Sequence, residues 1–285
     1  MRDDLRTATK ALPELAVVDT DISHLLRSWF SRGFLVLRPV NWDSPASLLQ
    51  KIIEYEAVHM IHSWDDLRRR LQSADRRCFA FFHPAMPDEP LIFVEVALTC
   101  SIPGNVDALL APDRTPLKLV DADTAVFYSI SNCQRGLAGI SFGNLLIKQV
   151  LADLTAQLPG LRTYVTFSPI LGLSDWLDEV VLDLVDDTAL RQAAAHYLVL
   201  ARRGDLPRDP VARFHIGNGA TIHDVHAGAD TSPSGIAQSR GAMVNYLYDP
   251  DRIARNLEEL AAGRIAATRA VQSLARQVQL PEHIP

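Results

Sequence analysis

The stretch Ser129-Ile130-Ser131-Asn132-Cys133-Gln134-Arg135-Gly136-Leu137-Ala138-Gly139-Ile140-Ser141-Phe142-Gly143-Asn144 constrains this chain more than any other. Before it, residues 124 to 130 are β-branched and aromatic and predict a strand. After it, Leu145 to Leu151 with Leu154 have helical spacing. Gly136, Gly139 and Gly143 lie between, and glycine lets successive backbone N–H groups turn towards one point. A strand that enters a helix through such a turn presents those donors at the helix N-terminus, where the helix dipole favours an anion. The run lacks the Gly-Lys-Ser/Thr ending of a nucleotide P-loop, and its spacing is not Gly-x-Gly-x-x-Gly. Two readings stand on this pattern: a pyrophosphate cradle, or a structural glycine turn.

Punctuation and periodicity organise the rest. Residues 1–20 read as a loose lead and 21–285 as a single domain. Ser23 is expected to cap a first helix through Leu25, Leu26 and Trp29. Helical patterns follow at about 45–58 and 63–73, and strands at about 77–83, 90–100, 117–130 and 162–168. The loop helix occupies 142–157. Residues 173–185 and 188–203 read as helices, 205–210 as a breaker, 211–223 as a return to strand, and 252–277 as one amphipathic helix. Alternating strands and helices predict an α/β fold, a mixed sheet covered by helices, with no internal repeat. With 285 residues, 48% of them hydrophobic, the chain can bury one large core or two modest ones.

Charge and composition exclude several classes. A net charge of -6 argues against a nucleic-acid partner. No apolar run approaches the roughly 20 residues that span a bilayer, and the acidic start Met1-Arg2-Asp3-Asp4 has no signal-like apolar stretch, so no membrane partner and a cytoplasmic location are expected. Cys78, Cys100 and Cys133 are too few and too scattered for a disulfide framework or a Cys-x-x-Cys site, and are read as reduced, packed thiols. His223 and His226 are read as solvated loop residues rather than metal ligands. Trp29, Trp42 and Trp64 are read as packing.

Phrases spread in order along the chain resemble the malonyl-CoA decarboxylase family. They are Trp29-Phe30-Ser31-Arg32-Gly33-Phe34-Leu35, Tyr55-Glu56-Ala57-Val58-His59, residues 90–99, Phe127-Tyr128-Ser129-Ile130-Ser131, Ser168-Pro169-Ile170, Phe214-His215-Ile216-Gly217-Asn218-Gly219-Ala220, and Met243-Val244-Asn245-Tyr246-Leu247-Tyr248. The resemblance covers roughly residues 22 to 260. It implies a GNAT-like acyl-CoA-binding domain that decarboxylates a malonyl-type thioester, malonyl-CoA or methylmalonyl-CoA, without metal or any cofactor beyond the substrate's own CoA. A malonyl group on a carrier protein, as in polyketide biosynthesis, and a CoA-dependent acyltransferase are the alternatives. Longer relatives carry a helical domain before the catalytic one, and this chain is expected to start almost at the catalytic domain, which leaves a homo-oligomer open.

The resemblance also names residues. It carries the catalytic serine and histidine onto Ser168 and His215, and substrate contacts onto Ser129 and Tyr248. Asn218 is expected to hold the turn after His215 or to orient its ring. Under the cradle reading, Gln134, Arg135, Gly136, Leu137, Ala138, Gly139, Ser141, Gly143 and Asn144 would hold CoA. Serine can hydrogen-bond a carboxylate, and histidine can orient that carboxylate when charged or hand a proton to an enolate. Departures bear on substrate identity. Leu171 and Leu173 replace the family's Pro and Phe, His226-Ala227 stands where relatives have Asn-Trp, and Ser141 stands where some have glutamate.

Overall fold

The computed structural model describes residues 2–30, 34–137, 139–140, 143–182 and 184–278. In chain order the elements are α1 (Arg2–Thr9), α2 (Ala16–Trp29), β1 (Val36–Val40), α3 (Ala46–Tyr55), α4 (Trp64–Gln72), β2 (Arg76–His83), β3 (Met86–Thr99), α5 (Val106–Leu110), β4 (Thr124–Asn132), α6 (Gly143–Gln157), β5 (Thr163–Pro169), α7 (Leu173–Val180), α8 (Asp187–Val199), β6 (Arg202–Arg203), β7 (Leu206–Pro207), α9 (Pro210–Gly217), β8 (Thr221–His226), α10 (Pro233–Ser239), β9 (Met243–Leu247), α11 (Ile253–Ala261) and α12 (Arg269–Ala275). The main sheet has seven strands in the order β1-β2-β3-β4-β5-β9-β8, and β6 and β7 form a separate hairpin. The α/β, helix-covered mixed sheet expected from the sequence is therefore present.

The chain divides into two compact units, residues 1–96 with 129–159, and residues 97–128 with 160–285. In unit 1, β1 pairs antiparallel with β2, from Val36 opposite Phe82 to Val40 opposite Cys78. The apolar stripes of α3 and α4 (Leu48, Ile52, Leu67, Leu71) bury against Phe82 and Phe93. Ser63 starts α4 as a helix cap, its hydroxyl accepting the Asp66 N–H at 3.1 Å. Contrary to the loose lead expected over residues 1–20, α1 and the start of α2 are helical. Arg2 ties them down, with Nε on Asp19 at 2.8 Å and Nη1 on the Gly136 carbonyl at 2.7 Å. Ser23 lies inside α2 and donates to the Asp19 carbonyl at 2.6 Å, so it does not cap.

In unit 2, β4 and β5 pair in parallel only from Thr124–Thr163 to Phe127–Thr166. Beyond that point β5 keeps its antiparallel partner β9, with Thr166 opposite Tyr246 and Ser168 opposite Val244. Phe167, Met243, Tyr128 and Val126 fill the core below. The strand expected from residue 117 begins only at Thr124, after a 3-10 turn at Leu119–Asp121. Residues 211–223 are not one strand: Asp209 and Pro210 are a helix cap and a first helical residue, and they open α9. Residues 252–277 form two helices, because Gly263 takes a positive φ and Thr268 caps α12 afresh.

Candidate active site

The face of the β5–β9 pair explains the site. Residues directly opposite in an antiparallel pair share a face and side chains alternate along each strand, so Thr166, Ser168 and Tyr246 point the same way. Tyr248, one residue past β9, continues that face, and its N–H bonds the Tyr164 carbonyl at 2.9 Å. Helix α9 brings His215 against these residues. Its Nε2 lies 3.3 Å from Ser168 Oγ and its Nδ1 lies 2.7 Å from Tyr248 Oη. The ring stacks on Tyr246 with centroids 4.5 Å apart and planes 24° apart. Ser168, His215, Tyr246 and Tyr248 are all buried, His215 to 2% exposure.

Burial sets the charge state. His215 has lost its water shell, which disfavours imidazolium and lowers its pKa to about 3. A neutral ring must donate from one nitrogen and accept at the other. If Tyr248 donates to Nδ1, then Nε2–H points at Ser168 and leaves the serine hydroxyl proton for another acceptor, which here is Thr166 Oγ1 at 3.5 Å. Burial also pushes the Tyr248 phenol upward, so it stays protonated and able to donate. The structure thus brings Ser168, His215 and Tyr248 together, with His215 on a helix rather than the strand expected from sequence. Asn218 is buried at the end of α9, and its N–H bonds the His215 carbonyl at 3.1 Å.

Sequence reasoning missed Asp209 and Tyr246. Asp209 is fully buried and caps α9 through Ala212 N–H. Among the described residues its Oδ2 and the Tyr246 hydroxyl are buried with no hydrogen-bond partner, and burial raises the Asp209 pKa to about 7. An Asp-Pro pair before an apolar run signals a helix start and could have found it.

Ser129 belongs to unit 1, where its hydroxyl lies 2.8 Å from both Glu56 carboxylate oxygens. Ser131 lies 3.4 Å from the same carboxylate, and Glu56 also accepts the Val58 and His59 N–H groups. Nothing in composition or spacing marked Glu56. In the glycine run, Leu137 and Ile140 N–H close successive turns at 2.9 and 3.0 Å, and Gly139 has φ +81°. Gln134 Nε2 bonds the Pro90 carbonyl at 3.2 Å, Arg135 opens a short 3-10 turn, and Gly143 with Asn144 starts α6. Ala138 and Ser141 lie outside the described residues.

Other expectations are corrected. His223 and His226 stand on β8 rather than in a solvated loop, and His226 Nε2 lies 2.6 Å from Asn245 Oδ1. Cys78 and Cys133 are buried but Cys100 is exposed. Trp29 is largely exposed rather than packed, whereas Trp64 packs edge-on against Trp42, with ring centroids 6.3 Å apart. Among the described residues no helix is long and apolar enough to cross a membrane.

Comparison with known proteins identifies the family and the fold. The family described as "Malonyl-CoA decarboxylase C-terminal domain" matches residues 33–186 and 181–283. The mitochondrial malonyl-CoA decarboxylase of Anser anser anser is 35% identical, over 95% of this chain and 64% of its own length. This chain therefore spans less than two thirds of that curated relative. The crystal structure of malonyl-CoA decarboxylase from Rhodopseudomonas palustris is 46% identical, covers 96% of this chain and 74% of its own, and superposes with a TM-score of 0.87. The loading GNATL domain of CurA from Lyngbya majuscula, 16% identical over 78% of this chain and 99% of its own, superposes with a TM-score of 0.52 and shows a shared GNAT-like fold.

Proposed function

Because this chain belongs to the malonyl-CoA decarboxylase family, we propose that it removes CO2 from a malonyl group carried as a CoA thioester. Ser168 and His215 stand at the reacting end and Tyr248 stands behind the ring. The buried Ser168–His215–Tyr248 chain is the observation that supports this most. The thioester carbonyl is itself an electron sink: the bond to the carboxylate breaks, its electron pair moves into the enolate, and CO2 leaves. What remains for the protein is to hold the carboxylate out of the thioester plane and to protonate the resulting carbon.

A neutral His215 has no proton to spare, and the substrate remedies this. A malonyl carboxylate brought against the ring is the counter-charge that burial withholds, so the imidazole takes up a proton as the substrate binds. Ser168 then accepts Nε2–H and donates its own hydroxyl to the carboxylate. After CO2 departs, the serine proton goes to the enolate carbon and Nε2–H replaces it. The ring returns to neutral and the product is the acetyl thioester.

The turns closed by the Leu137 and Ile140 N–H groups, with the start of α6, would take the CoA pyrophosphate. Where the parallel β4–β5 ladder stops at Phe127 and Thr166, backbone groups become available to an amide-bearing arm such as pantetheine.

The deciding experiment is incubation of the protein with malonyl-CoA alone. Equal amounts of CO2 and acetyl-CoA, with no free CoA and no effect of a chelator, are expected. Free CoA that appears only when an amine is added would overturn the reading in favour of acyl transfer. Malonyl-CoA left untouched while a carrier-bound malonyl group reacts would move the substrate to the carrier-protein form.

A further inference from the structure

Unit 2 contains a second feature that the decarboxylation chemistry does not use. A cavity of about 520 Å³ lies between the turn after β5, helix α7, the β6–β7 hairpin and α9. Four guanidinium groups line it, Arg202, Arg203, Arg208 and Arg213, against two carboxylates, Asp175 and Glu179. Arg208 is occupied, since its Nη2 donates to both Glu179 oxygens at 2.6 Å. The other three make no salt bridge among the described residues, although Arg213 lies near enough to the Asp209 carboxylate to feel its charge. Arg213 Nη1 reaches only the Pro207 carbonyl, at 3.5 Å, and Arg202 Nη2 only the Gly263 carbonyl, at 3.5 Å.

Arg202 Nη1 is the sharpest sign of a missing partner. It is buried and makes no hydrogen bond among the described residues, and desolvation lowers the pKa of its guanidinium. A buried charged donor left open is costly, and proteins rarely keep one without a use. Guanidinium forks arriving from the hairpin and from α9 suit an anion with several oxygens in different directions, as phosphate has, better than a single planar carboxylate. The cavity volume is within the range of small-molecule sites and exceeds what a lone inorganic ion fills.

Placement gives the cavity a functional meaning. Leu171 and Gly172 line it just after Ser168, and Arg213 lines it two residues before His215 on α9. Neither Ser168 nor His215 lines it. We propose that this cavity is a binding site for a phosphate-bearing small molecule, held by Arg202, Arg203 and Arg213, and that its occupant bears on both elements that carry the catalytic pair. The binding does not rest on the reading of the reaction. The phosphate can belong to a free metabolite or to the 3′-phosphate of a CoA thioester.

The test is calorimetric titration of the whole protein with pyrophosphate and with inorganic phosphate in low-salt, phosphate-free buffer. Saturable binding is expected, weakened about ten-fold or more by Arg203→Gln and by Arg202→Gln, as loss of a charged donor implies. Arg203 is exposed, so its variant keeps the experiment valid if Arg202→Gln destabilises the fold. Arg240→Gln, whose side chain pairs with Asp178 away from this cavity, should bind as the wild type does. Absence of saturable binding, or binding indifferent to both cavity substitutions, overturns the proposal. A second titration with acetyl-CoA and its 3′-dephospho form separates the sources. A penalty for the missing phosphate that disappears in Arg203→Gln assigns the site to CoA, and equal affinities assign it to a separate metabolite.

Discussion

Tyr248→Phe isolates the phenol's part in the proposed site, because it deletes one oxygen and keeps the ring. That oxygen lies 2.7 Å from His215 Nδ1, and both residues are buried, so no water is at hand to replace it. An unsatisfied buried group of this kind costs about 1–3 kcal/mol, which is roughly a 5- to 150-fold loss in rate if it is felt in the rate-limiting step. The charged ring should suffer more than the neutral one. Imidazolium donates from both nitrogens and needs Tyr248 as an acceptor, whereas the neutral ring can shift its single proton. The variant should therefore show a lower kcat, a nearly unchanged KM, and an apparent pKa for kcat that moves down. Acetyl-CoA formation from malonyl-CoA, followed from about pH 5 to 9, reads all three. A kcat within about two-fold of wild type with an unshifted pH profile would refute the assignment. Tyr248 would then be packing alone.

Four further outcomes follow from the same geometry. Ser168→Ala and His215→Ala should each lower kcat by about 100-fold or more, and the double variant should be little worse than the poorer single one, since the two act as a unit; additive losses would separate their roles. Gly139→Val should weaken acetyl-CoA binding far more than Asn132→Ala, because φ +81° strains any β-branched residue; equal effects in calorimetry would remove the cradle. Ser129→Ala strips a hydroxyl from the buried Glu56 carboxylate and should cost about 1–3 kcal/mol in denaturant unfolding; unchanged stability with a raised KM would make Ser129 a substrate contact instead. Burial raises the Asp209 pKa from the ordinary 3.8 to about 7, so its contribution to stability is complete below 3.8 and is lost as pH rises through about 7. Asp209→Asn should flatten that decline in thermal unfolding. His215, with its pKa lowered to about 3, runs the other way, losing stability as pH falls from the neutral range.

Why some of this was legible and some was not comes down to which interactions are local. The strand–turn–helix around the glycine run could be read because period, β-branching and glycine act within a few residues, and β4 and α6 stand close to their expected places. Residues 211–223 mislead because Val211, Ala212, Phe214 and Ile216 fit a buried strand as well as a short helix, and Asp209-Pro210 reads equally as a breaker or as a helix start. The helical N-terminus could not be seen at all, since its anchor is Arg2 on Asp19 and on the Gly136 carbonyl, a contact between distant parts of the chain. The site divides along the same line. Ser168 and His215 were marked by a resemblance to relatives, but their environment was not, because it is made by the register of β5 on β9 and by a helix 47 residues further on. That environment decides the chemistry. An exposed histidine would be partly charged near neutral pH, whereas burial keeps this one neutral; under the proposed reaction the substrate carboxylate would supply the missing anion, and proton uptake would then accompany substrate binding.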